Sequence, residues 1–224
     1  MDLDLLMRYA PLVECLQRQK AASILEVGSG SYGITRFYRR RVVALDTSFP
    51  PPVSPYLEPR IGTATSLPFP GLSFDFVISV DVLEHLPPGE RERALREMWR
   101  VARKCVICGV PCGRQAMAHE ERYNTAYQHK FGHENKWLVE HKKHGLPEKS
   151  DVERIVGRVA SPGKVSVIPN VNLDFWYATR ICELTVPFSQ EYQKLLQTAR
   201  ENPCRFTMEN SKGDCYRYIF LLSR

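Results

Sequence analysis

Along the first half of the chain, short apolar runs alternate with longer stretches whose apolar positions recur every three or four residues. Residues 23–27, 41–45, 74–80 and 105–110 are near-continuous apolar runs bounded by charged or turn-forming residues, a pattern that suits strands covered on both faces of a parallel sheet. Over 89–104, Leu95, Met98, Trp99 and Ala102 recur at i, i+3, i+4 and i+7. Arg91, Glu92, Arg96, Glu97, Arg100 and Arg103 fall on the opposite face, so the spacing predicts an amphipathic helix. Its start is marked by Pro87-Pro88-Gly89. Leu12, Val13 and Leu16 predict another helix near the N-terminus, with Pro11 suited to its first turn. Strand and helix in this rhythm predict an α/β, doubly wound, mostly parallel sheet.

After Val110 the rhythm changes. Residues 111–150 are polar and carry His119, His129, His133, His141 and His144 among Tyr123, Tyr127, Phe131 and Trp137. So long a connection is commonly functional, and it is expected to be an inserted lid or acceptor-site segment. Strand patterns return at 164–168 and 215–222, with helical character over 174–200 interrupted at Pro187. About seven strands are expected, and finishing one sheet needs most of the chain, so residues 1–224 are read as a single domain.

Composition narrows the class. Of 224 residues, 43% are hydrophobic and 25% charged, which excludes a disordered or collagen-like chain. No apolar run reaches the roughly 18 residues of a membrane-spanning helix. The acidic opening Met1-Asp2-Leu3-Asp4 is unlike a signal peptide, and a cytoplasmic location is expected. Seven cysteines, an odd number, argue for reduced thiols. Cys105 and Cys108 have an odd separation in a predicted strand, which sends their sulfurs to opposite faces and argues against a shared cluster. The formal net charge of +6 favours anionic partners only mildly. Its densest run, Arg39-Arg40-Arg41, is expected to end a helix, where cations suit the dipole.

The candidate chemistry starts at Glu26-Val-Gly-Ser-Gly-Ser-Tyr-Gly33, directly after the first strand. Glycines at 28, 30 and 33 permit a tight turn and let a ligand approach the backbone. Asp46, at the end of the next strand, suits a carboxylate accepting from the hydroxyls of an adenosine ribose. On its own the glycine pattern fits a bare turn or a dinucleotide site as well. Strand, glycine loop, second strand and terminal Asp together favour nucleoside binding.

Three ordered segments within residues 20–112 carry a resemblance: Ile24-Leu-Glu-Val-Gly-Ser-Gly30, Val43-Ala-Leu-Asp46, and the stretch from Ser66-Leu-Pro-Phe to Val80-Asp-Val-Leu-Glu-His-Leu86. They resemble class I S-adenosylmethionine-dependent methyltransferases, and within that class the methyltransferase type 11 branch, similar to the ubiquinone-biosynthesis methyltransferases. The resemblance implies S-adenosylmethionine as cofactor. It assigns Glu26, Gly28, Ser29 and Gly30 to the glycine-loop side of the site, with the two glycines at the methionine portion. Asp46 is assigned to the ribose, Thr47, Thr63 and Ala64 to the adenine, and Asp81 to the methionine end or the acceptor. Relatives commonly have Gly-Asp-Ala where this chain has Gly62-Thr63-Ala64, so a threonine hydroxyl stands where a carboxylate would meet adenine.

A sulfonium methyl is already activated, so methyl transfer needs chiefly an acceptor atom held in line. A hydroxyl or ammonium acceptor also needs a base, and His119, His129 and His133 are the candidates. Glu84 and His85 have packing or capping roles as alternatives. His141 and His144 share a helical face, but no further ligands stand at a matching spacing and no metal is expected. The acceptor is expected to be a small or lipid-like molecule. An RNA or DNA methyltransferase, or a cofactor-binding protein without catalysis, are the alternative readings; against the former, Val80-Asp81-Val82 stands where amino-methylating nucleic-acid enzymes have Asn/Asp-Pro-Pro-Tyr.

Overall fold

The computed structural model describes residues 3–224. One sheet holds seven strands: β1 (Ile24–Val27), β2 (Val42–Asp46), β3 (Leu57–Ile61), β4 (Phe74–Val80), β5 (Ala102–Pro111), β6 (Lys164–Asn172) and β7 (Cys215–Ser223), in the order β3-β2-β1-β4-β5-β7-β6. β1 pairs in parallel with β2 and β4, β2 with β3, and β4 with β5. β7 alone is reversed, running antiparallel to both β5 and β6. The expected α/β, mostly parallel sheet is therefore present, and the reversal lies at the C-terminal strand.

β3 is a strand that the apolar pattern does not reveal. Leu57-Glu-Pro-Arg-Ile buries only its first residue, because it forms the sheet's edge. Pro59 is tolerated there since an edge strand can leave one side of its ladder unpaired. Arg41, at the approach to β2, donates through Nε to Glu58 at 2.9 Å.

The helices are α1 (Leu3–Arg18), α2 (Pro88–Val101), α3 (Arg114–Phe131), α4 (Lys136–His144), α5 (Lys149–Ala160), α6 (Leu173–Thr185), α7 (Gln190–Glu201) and α8 (Pro203–Glu209). Several depart from the expected pattern for local reasons. α1 starts a full two turns before Pro11, which sits inside it. Pro11 has no N–H to give the carbonyl of Met7, and Asn170 Nδ2 donates to that oxygen instead at 3.1 Å. α2 ends at Val101 and β5 begins at the next residue. Arg103 and Lys104 consequently lie on a strand, where they pair with Asp75 at 2.7 and 3.2 Å.

Between β1 and β2 the described chain makes only a 3-10 turn, Gly33–Arg36. Arg39-Arg40-Arg41 therefore follows a short turn and leads into β2, rather than ending a helix. No helix joins β2 to β3 or β3 to β4. Pro50, Pro51, Pro52 and Pro55 fill the first connection and Pro68 and Pro70 the second, and prolines at this density remove helix donors. Helices instead accumulate late: α3 and α4 follow β5, and α6, α7 and α8 form a second insertion between β6 and β7.

Two apolar layers flank the sheet. One face packs Val27, Val77, Val106 and Phe220 against α2 and α5 through Leu95, Met98 and Val156. The other packs Ile24, Phe76, Ile78 and Ile107 against α1 through Leu12 and Leu16. Cys105 belongs to the second layer and Cys108 to the first, on opposite faces as their odd separation requires. All seven cysteines are free thiols. A third cluster joins α1, α3, α6, α7 and α8 through Leu3, Tyr123, Trp176, Leu196 and Phe206. No helix among the described residues is long and apolar enough to cross a membrane.

Candidate functional site

The loop after β1 is shaped by close packing. Gly28 has φ +78°, a left-handed conformation that disfavours side chains. A Cβ there would also overlap Val82 Cγ2. Gly33, at φ +47°, lies against the carboxylate of Glu26, which a Cβ would displace. Gly30 differs, since the space beside its Cα is open. Gly30 is left-handed as well, at φ +56°, so all three glycines serve the loop's backbone and Gly30 in addition faces room for a ligand.

Glu26 is 1% exposed on the fully buried β1. Its Oε1 accepts from the Tyr9 hydroxyl at 2.9 Å and its Oε2 from the Ile34 N–H at 2.8 Å. Burial pushes its carboxyl up to about 7, although both hydrogen bonds favour the charged form. These contacts tie the glycine loop to α1 and to the 3-10 turn.

Asp46 lies half-buried at the end of β2. Oδ2 accepts from the Gly30 N–H at 2.7 Å and Oδ1 from the Thr47 N–H at 2.7 Å. Oδ1 also accepts longer bonds from the Thr47 hydroxyl at 3.3 Å and the Ser48 N–H at 3.5 Å, whereas Oδ2 keeps a second lone pair, so the carboxylate is oriented by the loop yet able to accept a further bond there. Thr63 is exposed in a turn closed by a bridge to Ser66, with Ala64 buried behind it. Ser29 is buried and donates to the Gly30 carbonyl at 2.8 Å. Glycine loop, Asp46 and the Thr63 turn all stand at the carboxyl ends of β1, β2 and β3, where open α/β sheets bind ligands.

Asp81 follows β4 with φ +53°, a conformation uncommon for a residue with a side chain and costly enough to be met at functional sites. Its carboxylate is held by Arg217 through Nε at 2.5 Å and Nη2 at 2.7 Å. Arg8 approaches the same group at 3.1 Å, and Asp4 bonds Arg8 at 2.7 Å. Arg217 is fully buried and also donates to Asn170 Oδ1 at 3.1 Å. Burial opposes ionisation of Asp81, but the Arg217 and Arg8 guanidinium groups outweigh it and hold the carboxyl below its usual range. Two aspartates and two arginines thereby join α1, β4 and β7 around Asp81. Arg8 and Arg217 are absent from the sequence-based site; the signals are an Arg in the apolar β7 run and the Asp4–Arg8 spacing on one helix face.

A second polar cluster lies beyond the end of β4. The 3-10 turn Leu83–His85 presents Glu84, which is fully buried with neither carboxylate oxygen bonded to a partner. Burial, with the charge of Asp81 behind it, pushes its carboxyl well up. His85 receives α4: its Nε2 lies 3.3 Å from Nε2 of the buried His141. Glu140 Oε2 stands 2.8 Å from His85 Nδ1, and Glu120 Oε1 stands 2.9 Å from His141 Nδ1. Tyr216 donates to that same Glu120 oxygen at 2.6 Å. Burial and the neighbouring His141 hold His85 below its ordinary value.

The three candidate bases are not brought together. His119 bonds the Gln115 carbonyl on α3 at 2.8 Å and lies 3.5 Å from Asp174. His129 is exposed near the far end of α3, about 22 Å along the axis from its first residue at 1.5 Å per residue. His133 is exposed beyond the helix, its ring edge-on to Tyr127. His141 turns inward to meet His85, rather than pairing with His144 along its own helix.

A cavity of about 460 Å³ opens beyond the end of β5, lined by Cys112, Gly113, Arg114, Glu148, Lys149, Asp214 and Tyr218 among others. Its size is in the range of small-molecule sites.

Residues 25–108 match the family model described as Methyltransferase domain. No curated protein matches the chain in sequence. Among solved structures, an S-adenosylmethionine-dependent methyltransferase of Thermotoga maritima is similar with TM-score 0.56 at 17% identity, over 98% of this chain and 91% of that one. The Haemonchus contortus phosphoethanolamine N-methyltransferase 2, in complex with S-adenosylmethionine, gives TM-score 0.57 at 13% identity, over 96% of this chain and 52% of that one. At these identities the structures establish a shared Rossmann-like methyltransferase fold. The family match spans the strands from β1 to β5 that carry the glycine loop, Asp46 and the Thr63 turn.

Proposed function

We propose that the chain transfers the methyl group of S-adenosylmethionine to a small or lipid-like acceptor, in keeping with the resemblance of its motifs to ubiquinone-biosynthesis methyltransferases. The observation that carries this reading is Asp46, oriented by the Gly30 amide at 2.7 Å beside a glycine with open space at its Cα. That geometry suits a ribose diol accepted by the carboxylate and a cofactor chain laid along the loop. The Thr63 hydroxyl and the backbone at Ala64 complete the adenine side, and Thr47 borders it. When bound, the cofactor supplies an activated methyl on a positively charged sulfur.

The protein's own part is to orient, enclose and deprotonate. Gly28 and Gly33 fix the loop, and Glu26 anchors it to α1. Segment 111–150, as α3 and α4, is the lid and acceptor wall, packing α4 onto the turn beyond β4. The charged lining of the cavity beyond β5 suits an acceptor with a polar head. His119, His129 and His133 are the base candidates for a hydroxyl or ammonium acceptor. Replacement of the working base by Gln is expected to lower kcat by roughly 10² to 10⁴; full activity in all three variants dismisses them. Seven free thiols support a reducing compartment such as the cytoplasm.

Calorimetry with S-adenosylmethionine and S-adenosylhomocysteine tests the premise. Absence of binding by the folded protein overturns it. A radiolabelled-methyl assay over lipid, small-molecule, RNA and protein fractions then separates acceptor classes, and label confined to RNA or protein overturns the small-molecule assignment.

A further inference from the structure

The cluster at Glu84, His85 and His141 is built unlike a set of packing residues. Its three side chains come from two places far apart in sequence, the turn after β4 and helix α4, and one ligand atom from each lies within 4.8 Å of the others. Each imidazole has its Nδ1 against a carboxylate, Glu140 for His85 and Glu120 for His141. A carboxylate accepts, so each Nδ1 is the protonated nitrogen, which leaves each Nε2 as the ring atom able to give a lone pair to a cation. Those two nitrogens face one another at 3.3 Å.

Glu84 completes the set. It is 0% exposed and both its oxygens lack a hydrogen-bond partner, whereas a buried carboxylate normally has a donor or a cation. Three lone-pair donors thus stand within 4.8 Å of one another, with Glu120 itself fixed by Tyr216 at 2.6 Å. A carboxylate orienting each ligating histidine from behind is the recurrent outer shell of protein metal sites. Metal–nitrogen bonds of about 2.0 to 2.1 Å place adjacent donors about 3.0 to 3.4 Å apart, which the histidine pair already satisfies.

We infer that Glu84 and the Nε2 atoms of His85 and His141 bind a divalent first-row transition-metal ion, with Glu120 and Glu140 orienting the two histidines. Two imidazoles and one carboxylate suit zinc, cobalt, iron or manganese better than calcium or magnesium. Three protein ligands leave at least one position to water or to a donor atom of a small molecule. The ion would also pin α4, and with it the inserted segment, to the end of β4. This inference does not depend on methyl transfer, and its readouts need neither cofactor nor acceptor.

The test is titration of the chelator-treated full chain with Co²⁺ and with Zn²⁺, followed by visible ligand-field absorption and metal analysis after desalting. The expected result is about one equivalent bound, with a rise in Tm. Glu84→Gln and His141→Gln, each confirmed folded by circular dichroism, are expected to weaken binding about 100-fold or more. Glu120→Gln is expected to weaken it roughly 10- to 100-fold, the range for orienting partners, while His144→Gln leaves it unchanged. Failure of the wild-type chain to take up either metal at micromolar concentration overturns the inference. So does equal uptake by folded Glu84→Gln and the wild type.

Discussion

Glu26 shows how one residue can serve the fold while standing in a cofactor motif. Both its oxygens are engaged within the protein, by Tyr9 and by Ile34, so its part is to hold the loop that the ligand would meet. Its folded value near 7 exceeds the unfolded value of about 4.3. The folded state therefore binds the proton more tightly, and this contribution is full below about pH 4.3 and lost as pH rises through 7. Wild-type stability is expected to fall by about 4 kcal/mol from this group across that window. Denaturant midpoints for Glu26→Gln, measured from pH 4.5 to 8, should show the slope removed. Asp46 is the opposite case, half-buried with spare acceptor capacity. Asp46→Ala is expected to weaken S-adenosylmethionine binding at least 10-fold by calorimetry with the thermal transition little changed, and unchanged affinity would remove the ribose assignment.

At the scale of elements, the helix α1 and the strand β6 are coupled by a missing donor. Pro11 frees the Met7 carbonyl inside α1, and Asn170 of β6 fills that position while also accepting from Arg217. Asn170→Ala leaves two buried groups without partners, at about 1 to 3 kcal/mol each. A loss of roughly 2 to 6 kcal/mol in unfolding free energy is expected from urea titration; a loss below about 1 would show that water or a neighbour replaces both bonds. The first helix of the doubly wound pattern is likewise reduced to a 3-10 turn, because Glu26 closes the backbone at Ile34 and the chain then turns at once toward β2. Anion binding through a long helix dipole is absent from this loop, which suits a ligand carrying an ammonium and a sulfonium rather than a diphosphate.

Across the whole molecule, the Asp4–Arg8–Asp81–Arg217 network ties the N-terminal helix to the last strand and to the carboxyl end of β4. Removing one partner strands the other charges in a buried setting, and breaking such a pair costs about 3 to 5 kcal/mol. Arg217→Met is expected to destabilise by that amount, and because Asp81 then loses its clamp, S-adenosylmethionine affinity should fall together with stability. An affinity that stays constant in the folded variant would confine the network to a structural role. Burial disfavours charge on Asp4 and Asp81, yet the arginines hold both carboxyls below their usual range. Their stabilisation is present above pH about 3.9 and disappears as pH falls through the lowered folded values. Acid unfolding of the wild type should therefore begin below pH 4.

The sequence by itself determined the elements whose signals are local. Apolar runs located β1, β2, β4, β5 and β7 because strands buried on both faces must be apolar, and glycines placed the ligand loop because few other residues accept its backbone. β3 escaped because an edge strand buries one residue and needs no periodicity. The connections from β2 to β3 and from β3 to β4 break the strand–helix rhythm because their prolines remove helix donors, a local effect that the spacing of apolar runs does not carry. The position of Asp46 at the end of β2 was legible because a strand that follows a glycine loop fixes it along the chain. Only the tertiary structure decided what Asp81, Glu84, His85 and His141 face. Arg217 is 136 residues from Asp81, and His141 is 56 from His85. Spacing cannot encode such meetings, since they arise from the order of strands in the sheet and from the docking of α4 onto the turn beyond β4.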